Sequence, residues 1–240
     1  MLVLTVDPAA WSVDLGRSDA RHGYGLFETV RVQDGAARWL PLHLERLAAG
    51  CAFLGLAPPP GPDALAARLA APLGALRAGV LHLVAADGLL RARWGRAPPA
   101  PEVPARIAVA ASAVRLAGSA TCRFKTLSYL ENRLLQREAE ERGLFDVVAR
   151  NERGRLADGG RTNLFLVLDG RVVTPPIADG ALPGVARRVL LKAGLAEERS
   201  VGLDDLDAAE GVFVANALRG AVPVRHDREG RVAACVAALR

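Results

Sequence analysis

Twice along the chain, two β-forming runs are broken by an Asp-Gly turn: at "LFETVRVQDGAARWL" (26–40) and at "TNLFLVLDGRVVTPP" (162–176). Asp-Gly tolerates the positive φ of a tight connection, so each stretch predicts an antiparallel hairpin and each half of the chain must build sheet. Helical spacing surrounds the hairpins. In "PLHLERLAAGCAFLGL" (41–56), Leu42, Leu44, Leu47, Ala48, Cys51 and Leu54 recur near a helical period behind a proline suited to a first turn. "PPPGPDALAARLAAPL" (58–73) predicts a second helix with Asp63 as its N-cap. "TLSYLENRLLQREAEERG" (126–143) predicts a long amphipathic helix stopped by Gly143. Further strands are expected at 79–86, 105–112, 144–151 and 211–218, helices at 183–195 and 231–240, and a loop over "RARWGRAPPAPEVP" (91–104). The expected fold class is α+β in two domains: an N-terminal α+β domain over 1–113, a linker over 114–120 and a C-terminal α+β domain over 121–240.

Composition narrows the function. With 51% apolar and 24% charged residues, the chain has the balance of a globular protein with a sizeable core. Its net charge of +5 comes from arginines scattered along the chain, and aromatics are 5%, so the interleaved basic and aromatic platform of a nucleic-acid binder is missing. Small anionic ligands suit that pattern better. No apolar run approaches the length of a membrane span. Cys51, Cys122 and Cys235 are odd in number and lack metal-ligand spacing, which points to a reducing, cytoplasmic compartment. His22, His43, His82 and His226 are too dispersed for a metal site and read as structural or surface residues.

One residue type is out of keeping with the rest. Of the 31 lysines and arginines only Lys125 and Lys192 are lysine, and Lys125 sits in "FKTLSYLENRLL" (124–135) at the entrance of the predicted long helix. A lysine can form a Schiff base and an arginine cannot, because the guanidinium stays protonated and is a poor nucleophile. Pyridoxal phosphate needs such an amine, an acid against its pyridinium nitrogen and a phosphate cradle, commonly backbone N–H groups at a helix N-terminus. "RLADGGRTNLFLV" (155–167) offers Asp158 before a Gly-Gly turn, and "GALPGVARRVLL" (180–191) offers a Gly/Pro turn opening a helix.

Taken in order, "HGYGLFETVRV", "HLERL", "KTLSYLENRLL", "LADGGRTNLF", "TPP", "LPGVARR" and "VFVANALRGAVPV" resemble the class IV aminotransferase family, pyridoxal-phosphate enzymes of fold type IV, over nearly the whole chain. The resemblance implies a two-domain fold like that of D-amino-acid aminotransferase, pyridoxal 5'-phosphate as cofactor, and a homodimer. It makes Lys125 the Schiff-base lysine and proton shuttle, Arg46 the phosphate-binding arginine, and Tyr129, after one gap, the partner of the cofactor's phenolic oxygen. Asp158 stands where most of the family has glutamate, one methylene longer. Backbone N–H groups of Gly184, Val185, Ala217 and Leu218 would complete the phosphate cup.

Two positions point toward the 4-amino-4-deoxychorismate lyases of the family. Ala217 in "NAL" replaces the threonine of branched-chain aminotransferases, and Thr29 in "FET" matches a lyase threonine where those enzymes have glycine. The first expectation is therefore a lyase forming 4-aminobenzoate and pyruvate, a step toward folate, with Lys125, Thr29 and Asp158 catalytic. Arg219, Arg31, Arg91 and Arg93 are the candidates for its two carboxylates. The alternative is an aminotransferase for branched-chain or D-amino acids; a non-catalytic member of the family is a remote third reading.

Overall fold

The alternation in "LFETVRVQ" puts Leu26, Val30 and Val32 on one side of a strand and Phe27, Thr29 and Arg31 on the other, and only the first three are fully buried. The computed structural model of the chain describes residues 3–6, 22–225 and 229–240; His226 lies outside them. Contacts divide the chain into two compact units, Met1–Pro99 with Phe124–Tyr129, and Ala100–Arg123 with Leu130–Arg240.

The first unit holds β1 (Val3–Val6), β2 (Leu26–Gln33), β3 (Ala36–Ala37), α1 (Leu40–Phe53), α2 (Pro62–Leu73), β4 (Ala78–Ala86) and β5 (Leu89–Arg96). Its sheet has the order β1-β5-β4-β2-β3. Leu40, Leu44, Leu47 and Cys51 of α1 and Leu65, Leu69 and Leu73 of α2 recur every three to four residues and close over Leu26, Val30, Val32, Leu81, Leu83 and Leu90 as one core. Burial of each such leucine contributes roughly 1.5–3 kcal/mol. Gly61, not Asp63, is the N-cap of α2; Asp63 lies in the first turn, where its charge still suits the helix dipole.

Two expectations fail here for physical reasons. The loop expected over 91–104 begins as β5, which pairs with β4 (Leu83↔Ala92, Ala85↔Leu90) through a turn at Asp87 and Gly88, both at positive φ (55° and 74°). That Asp-Gly carries the same turn signal as the two recognised hairpins, but Arg91, Arg93 and Arg96 disguised the strand. The helix expected from 126 begins only at Leu130, because the preceding segment pairs with β2 instead. Phe27 N–H donates to Lys125 O (2.9 Å), Leu127 N–H donates to Gly25 O (2.9 Å), and Leu26 bridges Thr126. So close an approach needs glycine: a Cβ on Gly25 would lie 2.8 Å from both Ala85 O and Leu127 Cδ1.

The second unit holds β6 (Ile107–Arg115), α3 (Ala120–Arg123), α4 (Leu130–Glu141), β7 (Asp146–Asn151), β8 (Leu156–Gly159), β9 (Asn163–Leu168), β10 (Arg171–Thr174), α5 (Val185–Lys192), β11 (Glu197–Glu198), α6 (Leu203–Ala208), β12 (Gly211–Asn216), β13 (Gly220–Arg225) and α7 (Arg231–Ala238). The sheet runs β11-β10-β9-β8-β7-β6, with β12 pairing both β9 and β13. Leu135 and Ala139 of α4 pack on Val147 and Ala149 of β7. The strand expected at 105–112 belongs to this unit, since β6 runs parallel to β7 (Ile107↔Asp146). The division consequently falls before it, at 99/100 rather than near 113, and the expected 114–120 linker starts inside a strand. Among the described residues no helix is long and apolar enough to cross a membrane.

Candidate active site

Strand register gathers most of the candidate residues of the first unit on one surface. Thr29 pairs with His82, Phe27 with Val84 and Arg31 with Val80, while His82 pairs with Arg93 and Val84 with Arg91. Directly paired residues point to the same side of an antiparallel sheet, so Phe27, Thr29, Arg31, His82, Arg91 and Arg93 share the face opposite the core. Arg91 is tethered at the turn, 3.7 Å from Asp87.

Lys125 joins this face. Its Nζ donates to Tyr129 Oη at 3.1 Å, 4.2 Å from the centre of the Phe27 ring and 4.7 Å from that of Tyr129. The two rings meet edge to face, 4.9 Å apart. The amine is therefore fixed by the phenol oxygen and by the two aromatic rings beside it, a geometry that limits its rotamers. The strand-like pairing of 125–127 with 25–27 holds its backbone.

Arg46 lies on the core side instead. Its Nε and Nη2 donate to Glu28 Oε1 (2.7 Å) and Oε2 (2.6 Å), and His43 Nδ1 is 2.7 Å from Oε2. Glu28 was not singled out in the sequence, yet the signal existed: it occupies an inward position between Leu26 and Val30, and His43 and Arg46 share a helix face at i, i+3. Burial pushes the Glu28 carboxyl up, but the Arg46 charge and hydrogen bonds from His43 and Arg46 outweigh it and hold the pKa at about 2, against an ordinary 4.5. Because the folded pKa is the lower one, this stabilisation is complete above pH 4.5 and is lost as pH falls through about 2; it amounts to about 3 kcal/mol. A Glu28→Gln protein should therefore be much less stable than wild type in urea at pH 7, with the gap narrowing at pH 3. An equal gap at both pH values would refute the clamp.

In the second unit, Asp158 is buried on β8 with an arginine that the sequence reading passed over. Arg115 Nε and Nη2 lie 3.2 and 3.0 Å from Asp158 Oδ1, and Leu182 N–H donates to Oδ2 at 2.9 Å. Arg115 also donates to Asn132 Oδ1 (3.0 Å) and Gly159 O (3.3 Å). The following loop hangs on buried Asp146, which accepts from Gly160 N–H (3.0 Å), Arg161 N–H (3.2 Å) and the Thr162 hydroxyl (2.7 Å). Nothing in the sequence marked Arg115 among so many arginines. Cys122 is a structural thiol: buried, and pushed up to about 11 by that burial, with the acids Asp158, Glu131 and Glu152 adding to it against Arg115.

The cradle expected at the start of α5 is partly formed. Gly184 is the N-cap with no side-chain cap, and a Cβ there would sit 2.0 Å from Asn163 Oδ1, so only glycine fits. The Gly184 N–H, however, donates to Leu182 O (2.7 Å), and the Leu218 and Arg219 N–H groups donate to Asn216 Oδ1 (3.1 and 2.7 Å). Of the four amides expected for the phosphate, Gly184 and Leu218 thus have acceptors within the protein; Val185, in the first turn of α5, and Ala217 are the pair that fits an incoming anion. Arg219 is half-buried, and burial, then the neighbouring Arg161 charge, draw its pKa down. The amine with its phenol in the first unit, and the buried acid and uncapped helix start in the second, each fit pyridoxal phosphate in donor chemistry, whereas Nε and Nη2 of Arg46 are engaged by Glu28.

Residues 25–226 match the family model described as amino-transferase class IV. The chain belongs to the class IV aminotransferase family. Among relatives of this class IV chain, a bifunctional aminodeoxychorismate lyase / D-amino acid transaminase of Mycobacterium tuberculosis is 28% identical over 250 residues, covering 88% of this chain and 84% of that protein. The branched-chain-amino-acid aminotransferase of Escherichia coli is 31% identical over 103 residues, 41% of this chain and 33% of that protein, so the match spans about a third of that relative's length. A crystal structure from Legionella pneumophila, provisionally assigned as a 4-amino-4-deoxychorismate lyase, superposes with a TM-score of 0.83 over 99% of both chains at 21% identity, and shows the shared fold.

Proposed function

We propose that this class IV chain is a pyridoxal-phosphate-dependent lyase that converts 4-amino-4-deoxychorismate to 4-aminobenzoate and pyruvate. The observation that carries the reading is the placing of Thr29 on the same sheet face as Lys125, where a hydroxyl can serve a departing group while the amine serves the carbon that loses its proton. The cofactor, when bound, supplies an electron sink for the charge left at that carbon.

The residues then divide the work. Lys125 supplies the amine that anchors the cofactor and afterwards takes the C4 proton of the substrate. The electron pair of that C–H bond moves into the substrate ring as the C3–O bond breaks, which makes the ring aromatic. Thr29 offers a proton to the released enolpyruvyl oxygen, and the enol becomes pyruvate. Asp158, oriented by its pairing with Arg115, is the acid for the pyridinium nitrogen. Arg31, Arg91 and Arg93 give one face a threefold positive charge, and planar guanidinium forks suit the two carboxylates; Arg219 is the candidate from the second unit. The reading includes a homodimer, checked by light scattering, and a reducing cytoplasmic setting, which three buried free thiols support.

The same Lys125, Asp158 and Arg46 would serve an aminotransferase, and the Mycobacterium tuberculosis relative, whose name couples both activities, keeps that second reading in play. Protein loaded with pyridoxal phosphate and mixed with 4-amino-4-deoxychorismate should form 4-aminobenzoate over many turnovers. Spectra taken with L-leucine, D-alanine and L-glutamate should stay unchanged, because a transaminase must pass its cofactor into the amine form. Conversion by an amino acid without any 4-aminobenzoate would replace the lyase reading with the transaminase one.

A further inference from the structure

His82 has no role so far, yet the fold puts it half-buried in the middle of the candidate face. Thr29 Oγ1 lies 3.5 Å from His82 Nδ1 across the β2–β4 pair. The polar groups facing the ring are Thr29 and Arg31 from β2, Arg93 directly opposite and Arg91 one pair along from β5, and Lys125. Burial, then the charges of Arg93 and Lys125, draw the His82 pKa below its ordinary 6.5. The ring is neutral at pH 7, with one nitrogen that accepts and one that donates.

Thr29 is β-branched, so its χ1 is stiff and the hydroxyl rotor is the one soft coordinate left. A donating Nδ1–H removes it by occupying an Oγ1 lone pair and leaving the hydroxyl hydrogen directed away from the ring. The other neutral tautomer, with an accepting Nδ1, would turn the bond round and draw the hydroxyl hydrogen onto the ring, out of reach of the departing group. We infer that His82 is a positioning residue for Thr29: in its neutral Nδ1–H tautomer it donates to Thr29 Oγ1 and so directs the hydroxyl hydrogen away from the ring, toward the departing group of the substrate. The catalytic half of this inference rests on the lyase reading; the hydrogen bond itself does not.

Two measurements test it separately. Ring-nitrogen NMR of the full chain, in wild type and Thr29→Val from pH 5 to 8, should show His82 titrating below 6.5, its Nδ1 protonated at the alkaline end and displaced in frequency by Thr29→Val. An unprotonated Nδ1 there, or a signal indifferent to Thr29→Val, overturns the pair. In the 4-aminobenzoate assay, His82→Phe should lower kcat about tenfold with KM changed by less than about twofold, the scale of one hydrogen bond. His82→Asn, whose amide keeps an N–H donor near the Nδ1 place, should recover most of kcat. Thr29→Ala/His82→Phe should be no slower than Thr29→Ala alone. Additive losses, or a change confined to KM, overturn the positioning role. A wild-type protein that forms no 4-aminobenzoate removes the lyase reading, and the NMR arm still decides the His82–Thr29 bond.

Discussion

Lys125→Ala, loaded with pyridoxal phosphate, should show no turnover above the blank, a loss on the order of 10³-fold or more, because the residue acts both as the attached amine and as the proton shuttle. Lys125→Arg should be equally inactive. It keeps the positive charge beside Phe27 and Tyr129 but not a nucleophilic amine, so the pair of variants separates charge from chemistry. Folding should lose about 1–2 kcal/mol in Lys125→Ala, since the two ring contacts contribute roughly 0.5–1 kcal/mol each at a partly exposed site. Borohydride reduction followed by peptide mass spectrometry reads the attachment directly, with the label on the peptide containing residue 125 in wild type and absent in both variants. Normal steady-state rates in either variant would end the assignment.

Arg115→Ala should be the most destabilising single change among the site residues of the second unit. Its side chain and that of Asp158 are only 3% and 6% exposed, so deleting the guanidinium strands a carboxylate in a dry interior, while Asn132 Oδ1 and Gly159 O lose their donor. Breaking a buried pair from one side costs about 3–5 kcal/mol. Urea unfolding at pH 7 should show a midpoint shift of that size, and Asp158→Asn in the Arg115→Ala background should recover part of it by removing the stranded charge. A midpoint within experimental error of wild type would mean that the pair does not hold β8. Arg115→Lys should recover little, since one ammonium cannot reproduce a fork directed at Asp158, Asn132 and Gly159 together.

Hydrophobic periodicity made most of the elements legible, because burying one face of a strand or helix is what selects them. The hairpins at 26–40 and 162–176 and the helices beginning near residues 41, 62, 185 and 231 all follow from spacing within a dozen residues. Errors arose where distant pairing overrode local preference. Residues 126–129 have helical spacing, but pairing with Gly25 and Phe27 draws them into a strand-like bridge, and no local rule contains residue 25. The β5 strand carried arginines on its open face, which read as loop polarity; on a sheet that faces a charged ligand, those arginines belong. Site residues with chemistry of their own, such as Lys125 and Asp158, could be found as single letters in context. Those that hold them were not legible in this way: Arg115 differs from its many fellow arginines only by being buried, and Glu28 only by the parity of its position.

The six residues 124–129 belong to the first unit although they lie between stretches of the second, so the chain changes unit at 99/100, 123/124 and 129/130. Neither unit corresponds to a continuous stretch of gene. A fragment ending at Pro99 encodes all five strands of the first sheet without the hexapeptide that donates the amine. Recombination at the first boundary alone would therefore exchange the platform and leave its reactive group behind. The lengths on either side of that hexapeptide are constrained as well: in a strand-like bridge, insertion or deletion of one residue reverses which way every side chain points. A change of length between 116 and 124 should survive selection only where α3 or its flanking turns absorb it, before it reaches Lys125.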